Sequence, residues 1–199
     1  SVAKSGTVVV EPSTIGHLTE EVSFTSGLSF VRKSTATEIE ETYRNYSGDR
    51  AYGSDHCTEQ SFTFSKSGYY YTVTVRAYED GFAVRSSISK SAGGSFSLTV
   101  TDDKTAVKLP SGTKLWGTQL PDRDLLWGNS YESGFPMIDI SEANGKNILK
   151  APLAKVSDNL YVLLSEADLY GDPYIGSIFR GIGSNTLEYT AAPQKLKET

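Results

Sequence analysis

The side chains able to do chemistry in this 199-residue sequence are few, and most are acids. Histidine occurs only at His17 and His56, and cysteine only at Cys57. Two imidazoles cannot build a zinc site without carboxylates, and no HExxH, paired CxxC, GxSxG or glycine-rich phosphate loop is present. A metal or triad enzyme complete within the chain is not expected. Cys57 has no cysteine partner and reads as a small buried residue rather than a nucleophile. Two acidic stretches remain. In the first, Asp122, Asp124 and Glu132 lie in a polar, irregular segment with Trp127 and Tyr131. Acids there could hold a cation or sugar hydroxyls while the rings stack on a sugar face, so Trp127, Tyr131 and Glu132 are candidate substrate-binding residues. The alternative is a solvated loop with its tryptophans in the core. In the second, the apolar run Tyr161–Leu164 stops abruptly at Ser165-Glu166-Ala167-Asp168, which sets Glu166 at a strand end, where functional side chains are commonly presented. A hard cation such as calcium takes about 6 to 8 oxygens, so Glu166 alone could be only a partial donor. Its other reading is a glutamate in a turn facing water. A carboxylate pair for glycoside hydrolysis is defined by a separation of about 5 to 10 Å, which is spatial and not legible here.

The elements that must position these residues are strands. Aromatics reach 11%, with 12 Tyr, 8 Phe and 2 Trp, beside 18 Gly, a balance that favours sheet over helix bundle. A chain of this length buries about 70% of its unfolded surface, so a real core is expected. The net charge of -5, with Lys and Arg scattered, offers no footprint for nucleic acid. No run of apolar residues is long enough to span a membrane and no leader is retained. The lone methionine, Met137, lies far from the start, so the sequence is expected to be cut from a longer reading frame.

The strongest local signal is Tyr69–Ile88, YYYTVTVRAYEDGFAVRSSI. Asp80-Gly81 predicts a type I′ turn between two strands, pairing Ala77 with Val84, Val75 with Ser86 and Val73 with Ile88 on an apolar face. On the opposite face this register sets Arg76 against Arg85, a like-charge pair that needs cover by carboxylates or another surface. Elsewhere, Thr7–Val10, Phe24–Val31, Glu38–Tyr46, Gln60–Phe64, Ser95–Val100, Ala106–Leu109, Lys114–Trp116, Met137–Ile140, Leu149–Leu153, Tyr161–Leu164, Gly176–Phe179 and Leu187–Tyr189 read as strands bounded by turn residues. No repeat or composition break divides them. The expected fold is all-β, an antiparallel two-sheet β-sandwich with many strands and few or no helices, forming a single domain over residues 1–190 with a 191–199 tail.

Five pieces in order, EPSTIG (Glu11–Gly16), GDR (Gly48–Arg50), RAYEDGFAVR (Arg76–Arg85), SYES (Ser130–Ser133) and YVLLSEADLY (Tyr161–Tyr170), resemble the N-terminal domain of glycoside hydrolase family 97. Each is weak alone; the order and spacing make the set specific. The resemblance implies a β-super-sandwich that packs on a (β/α)8 catalytic barrel, followed by a small C-terminal β domain, in an α-glucosidase or α-galactosidase. It further implies a calcium ion held by one glutamate of the sandwich, which Glu166 matches, and by residues of the barrel. The family's usual HEA is SEA here, with Ser165 in place of the histidine. The catalytic acids belong to the barrel, so no residue of this chain corresponds to them and the chain by itself should be inactive. The resemblance also places the first residues well inside the family's domain, one strand late. An α-linked oligosaccharide, met through the complete enzyme, and a secreted, periplasmic bacterial location follow from it. The alternatives are a free-standing carbohydrate-binding module built on Trp127 and Tyr131, and a small enzyme in its own right.

Overall fold

The computed structural model describes residues 1–120, 134–149, 151–167 and 177–191. The chain divides into two compact units, residues 1–18 with 100–199, and residues 19–99 inserted between them. Strands β1 (Val2–Lys4) and β2 (Thr7–Val10) form a hairpin, and β3 (His17–Thr19) follows. The inserted unit holds β4 (Ser29–Lys33), β5 (Thr37–Arg44), β6 (Tyr52–Lys66), β7 (Tyr69–Ala77) and β8 (Phe82–Lys90). The chain then runs through β9 (Val100–Asp103), β10 (Ala106–Lys108), β11 (Lys114–Trp116), β12 (Gln119–Leu120), β13 (Met137–Asp139), β14 (Asn147–Ile148), β15 (Leu153–Ser157), β16 (Leu160–Leu163), β17 (Ser177–Gly181) and β18 (Thr186–Ala191). A single 3-10 turn, Ile140–Ala143, is the only helical element among the described residues. The fold is all-β with antiparallel strand pairing, as expected.

In the first unit two sheets carry the core: a five-stranded sheet ordered β10-β18-β17-β14-β12 and a four-stranded sheet ordered β13-β11-β15-β16. Strand alternation decides what each buries. On the four-stranded sheet Leu115 and Ala154 point inward and are fully buried, and on the other sheet Ile148, Phe179 and Leu187 do the same. The opposite face of the four-stranded sheet is different. Register puts Met137 beside Trp116, Trp116 beside Leu153 and Leu153 beside Leu163, an apolar row across all four strands. Met137 and Leu163 are more than half exposed.

In the inserted unit β6 is the organising strand, fifteen residues long. Its first half pairs with β5, and its second half with β4 on one edge and β7 on the other. The core is a small plug: Val22, Phe24 and Tyr71 are buried, with Phe24 stacked on Tyr71 at 5.3 Å between ring centroids.

Here the Tyr69–Ile88 hairpin departs from expectation. The strands and the face parity are those expected, but the register is displaced by two residues: Ala77 pairs with Phe82, Val75 with Val84 and Tyr71 with Ile88. The loop has four residues, closed by the Tyr78 N–H donating to the Gly81 carbonyl at 2.9 Å, and neither Asp80 nor Gly81 has positive φ. The two positive-φ residues of a type I′ turn occur instead at Ser67 (49°) and Gly68 (82°), between β6 and β7. Two forces favour the observed register. It sets Ile88 against the Phe24–Tyr71 plug, and it separates the arginines, so that Arg76 faces Ala83 and Arg85 faces Thr74. Arg76 then reaches back to β6, its Nε 2.7 Å from Glu59 Oε2 and its Nη1 3.1 Å from Asp55 Oδ2. The cover it requires comes from its own sheet.

Three other expected strands are displaced. Residues 95–99 are not strand; Phe96 and Leu98 instead pack against Tyr69 and the Phe24–Tyr71 plug. The Phe24–Val31 strand begins only at Ser29, because Phe24 serves as that plug. Of the described residues in the expected Leu149–Leu153 strand only Leu153, which opens β15, is strand; ahead of it Ala151 takes φ 66° before Pro152.

Candidate functional site

Glu166 is placed by the β15–β16 hairpin. Pairing ends at Leu163, yet the chain stays anchored one residue further: the Leu164 N–H donates to the Pro152 carbonyl at 3.1 Å and its side chain is buried. Alternation persists past the strand, with Val162, Leu164 and Glu166 on the less exposed side and Tyr161, Leu163 and Ser165 exposed. Glu166 is therefore turned the same way as the core residues before it. There it meets Ser177, the first residue of β17 in the five-stranded sheet. The Ser177 hydroxyl donates to Glu166 Oε1 at 2.6 Å, and the Ser177 N–H lies 3.4 Å from Oε2. The carboxylate thus links an edge strand of one sheet to an inner strand of the other.

The donor chemistry suits a share in a cation site. Glu166 supplies carboxylate oxygens of the hard type that calcium prefers, but one carboxylate falls far short of six to eight ligands. Among the described residues no three His, Cys, Asp or Glu side chains gather into a group able to hold an ion. The residues present fit one donor of a divided site. Ser177 carries no signal in the sequence: it lies eleven residues from Glu166, on another sheet, and only the packing of the two sheets brings them together.

Trp127, Tyr131 and Glu132, the candidate sugar-binding residues, lie outside the described residues, as do Asp122, Asp124 and the 192–199 tail. Of the histidines, His17 sits 3.7 Å from Asp103 and His56 stands opposite Glu40 in the β5–β6 register. Cys57 is buried. A concavity the sequence did not announce lies on the apolar row: Trp116, Phe135, Ala151, Leu153 and Tyr161 line about 470 Å³, with the Trp116 and Tyr161 rings 6.5 Å apart. Trp116, Leu153 and Tyr161 follow the strand alternation, whereas Phe135 and Ala151 lie between strands and are brought there by packing.

What the described residues define is a class of fold, an all-β chain of antiparallel sheets. The chain belongs to the glycosyl-hydrolase 97 N-terminal family, whose model matches residues 1–193. No curated protein matches it. Among solved structures it is similar to a glycoside hydrolase family 97 enzyme from Pseudoalteromonas sp. strain K8 in complex with acarbose, at 18% identity and a TM-score of 0.78, covering 94% of this chain and 27% of that one. The E480Q variant of that enzyme, in complex with panose, matches equally. A beta-arabinopyranosidase is similar at 22% identity and a TM-score of 0.81, covering 100% of this chain and 32% of that one. The chain therefore spans about a quarter to a third of the length of these enzymes. Among the described residues no helix is long and apolar enough to cross a membrane.

Proposed function

We propose that this chain is the non-catalytic N-terminal domain of a calcium-dependent α-glycosidase, an α-glucosidase or α-galactosidase, that packs on a (β/α)8 catalytic barrel and lends Glu166 to the calcium site at the active-site rim. The observation that carries the reading is the position of Glu166: in a chain of this family, an acid turned inward at a strand end and fixed there by a second sheet. Calcium, when bound, would supply positive charge at the substrate, and Glu166 would supply one oxygen donor from outside the barrel. The open row Met137–Trp116–Leu153–Leu163 lends further support, since a neighbouring domain would remove such a face from water. A secreted, periplasmic location and an α-linked oligosaccharide substrate belong to the same proposal. The neighbours with acarbose and panose support the sugar class. A free-standing carbohydrate-binding module is the less supported reading, because the matching family is the N-terminal part of glycoside hydrolases.

The test is Glu166→Gln in the complete enzyme. Glutamine keeps the volume and removes the charge, so the calcium concentration giving half-maximal hydrolysis of an aryl α-glycoside should rise by roughly tenfold or more. An unchanged calcium requirement ends the proposal.

A further inference from the structure

Resting on the assignment of Glu166 as an ion donor, we infer that Ser177 is the positioning residue that presents the Glu166 carboxylate to the cation. Its hydroxyl lies 2.6 Å from Oε1, within the range of charge-assisted O–H···O⁻ bonds. Its own backbone is fixed by pairing with Ala191 in β18, and the residue is 7% exposed, so the hydroxyl has a defined origin. Glutamate has three side-chain torsions, and a lone glutamate at a strand end would have to be ordered when the ion arrives. Ser177 orders it beforehand. An ionised carboxylate offers about four lone-pair sites, of which the serine hydroxyl and N–H take two. The arrangement also couples the ion to the packing of the two sheets, since one sheet provides the donor and the other its orientation.

The experiment is calorimetric titration of calcium chloride into the chelator-stripped complete enzyme, with Ser177→Ala, Ser177→Thr and Glu166→Gln alongside the parent and the metal-free melting temperature of each. Ser177→Ala should weaken calcium binding by roughly tenfold at an unchanged metal-free melting temperature, and Ser177→Thr, which keeps the hydroxyl, should restore it. Parent-like affinity in Ser177→Ala together with weakened affinity in Glu166→Gln overturns the role of Ser177 and leaves the ion assignment standing. Parent-like affinity in Glu166→Gln overturns both. A Ser177→Ala loss that tracks a fall in metal-free stability, without rescue by threonine, also overturns it, because the residue would then be merely structural.

Discussion

Gly181 ends β17 where the chain after the 3-10 turn presses against it. The Gly145 N–H donates to the Gly181 carbonyl at 2.8 Å, and the Gly181 N–H donates to the Lys146 carbonyl at 3.0 Å. A Cβ at Gly181 would fall well inside van der Waals contact with the Ala143 carbonyl oxygen, and backbone cannot swing aside as a side chain can. Gly181→Ala should therefore cost about 3 kcal/mol or more, or prevent folding, as read by denaturant titration. Asp139 is a milder case at the other end of that turn. Its Oδ1 accepts from the Ser141 N–H at 3.0 Å and from the Ser141 hydroxyl at 2.7 Å, and Lys114 donates to its Oδ2 at 3.0 Å. The Ser141 N–H first, then the Ser141 hydroxyl and Lys114, hold its carboxyl at about 2, below the usual 3.8. Because the folded value is depressed, the contribution to stability is present above pH 3.8 and is lost as the pH falls toward about 2. Asp139→Asn should remove that segment of the acid dependence, so stability curves of variant and parent should converge near pH 2. The strand-end position of Glu166 was legible at this scale, from the abrupt end of an apolar run; its partner Ser177 was not, since nothing in a serine that opens a strand marks the acid it will meet.

At the scale of elements, the inserted unit rests a long, twisted sheet on a very small plug. Phe24, Val22 and Tyr71 are its buried centre, and Tyr69, Val73, Ile88, Leu28 and Leu98 close around them. Phe24→Ala should cost about 3 to 5 kcal/mol, with amide exchange rising first along β7 and β8, whose inner faces it covers. Exchange that stayed at parental levels there would show that the plug does not hold the sheet. The hairpin illustrates what a sequence leaves open. Alternation in YTVTVRA and FAVRSSI fixes which residues share a face, and a shift of two preserves that pattern completely. Turn chemistry at Asp80-Gly81 pointed to the tighter register; Glu59, Asp55 and the Phe24 plug, all distant in sequence, decided for the wider loop.

At the scale of the whole molecule, the proposal that this chain is the non-catalytic part of an enzyme sets how it should behave alone. The purified chain should release no nitrophenol from nitrophenyl α-glucoside or α-galactoside under conditions where the complete enzyme does. Turnover by the purified fragment would make it an enzyme in its own right. What the sequence determined by itself was the all-β class, most strand positions, the face parity of the main hairpin and the suspicion attached to Glu166, because these depend on short-range alternation and on where it stops. Only the tertiary structure decided the register of β7 against β8, the pairing of Glu166 with Ser177 and the openness of the row through Trp116. Each of those depends on which sheet lies against which side chain, and residues that meet across sheets are separated along the chain by distances that leave no periodic mark.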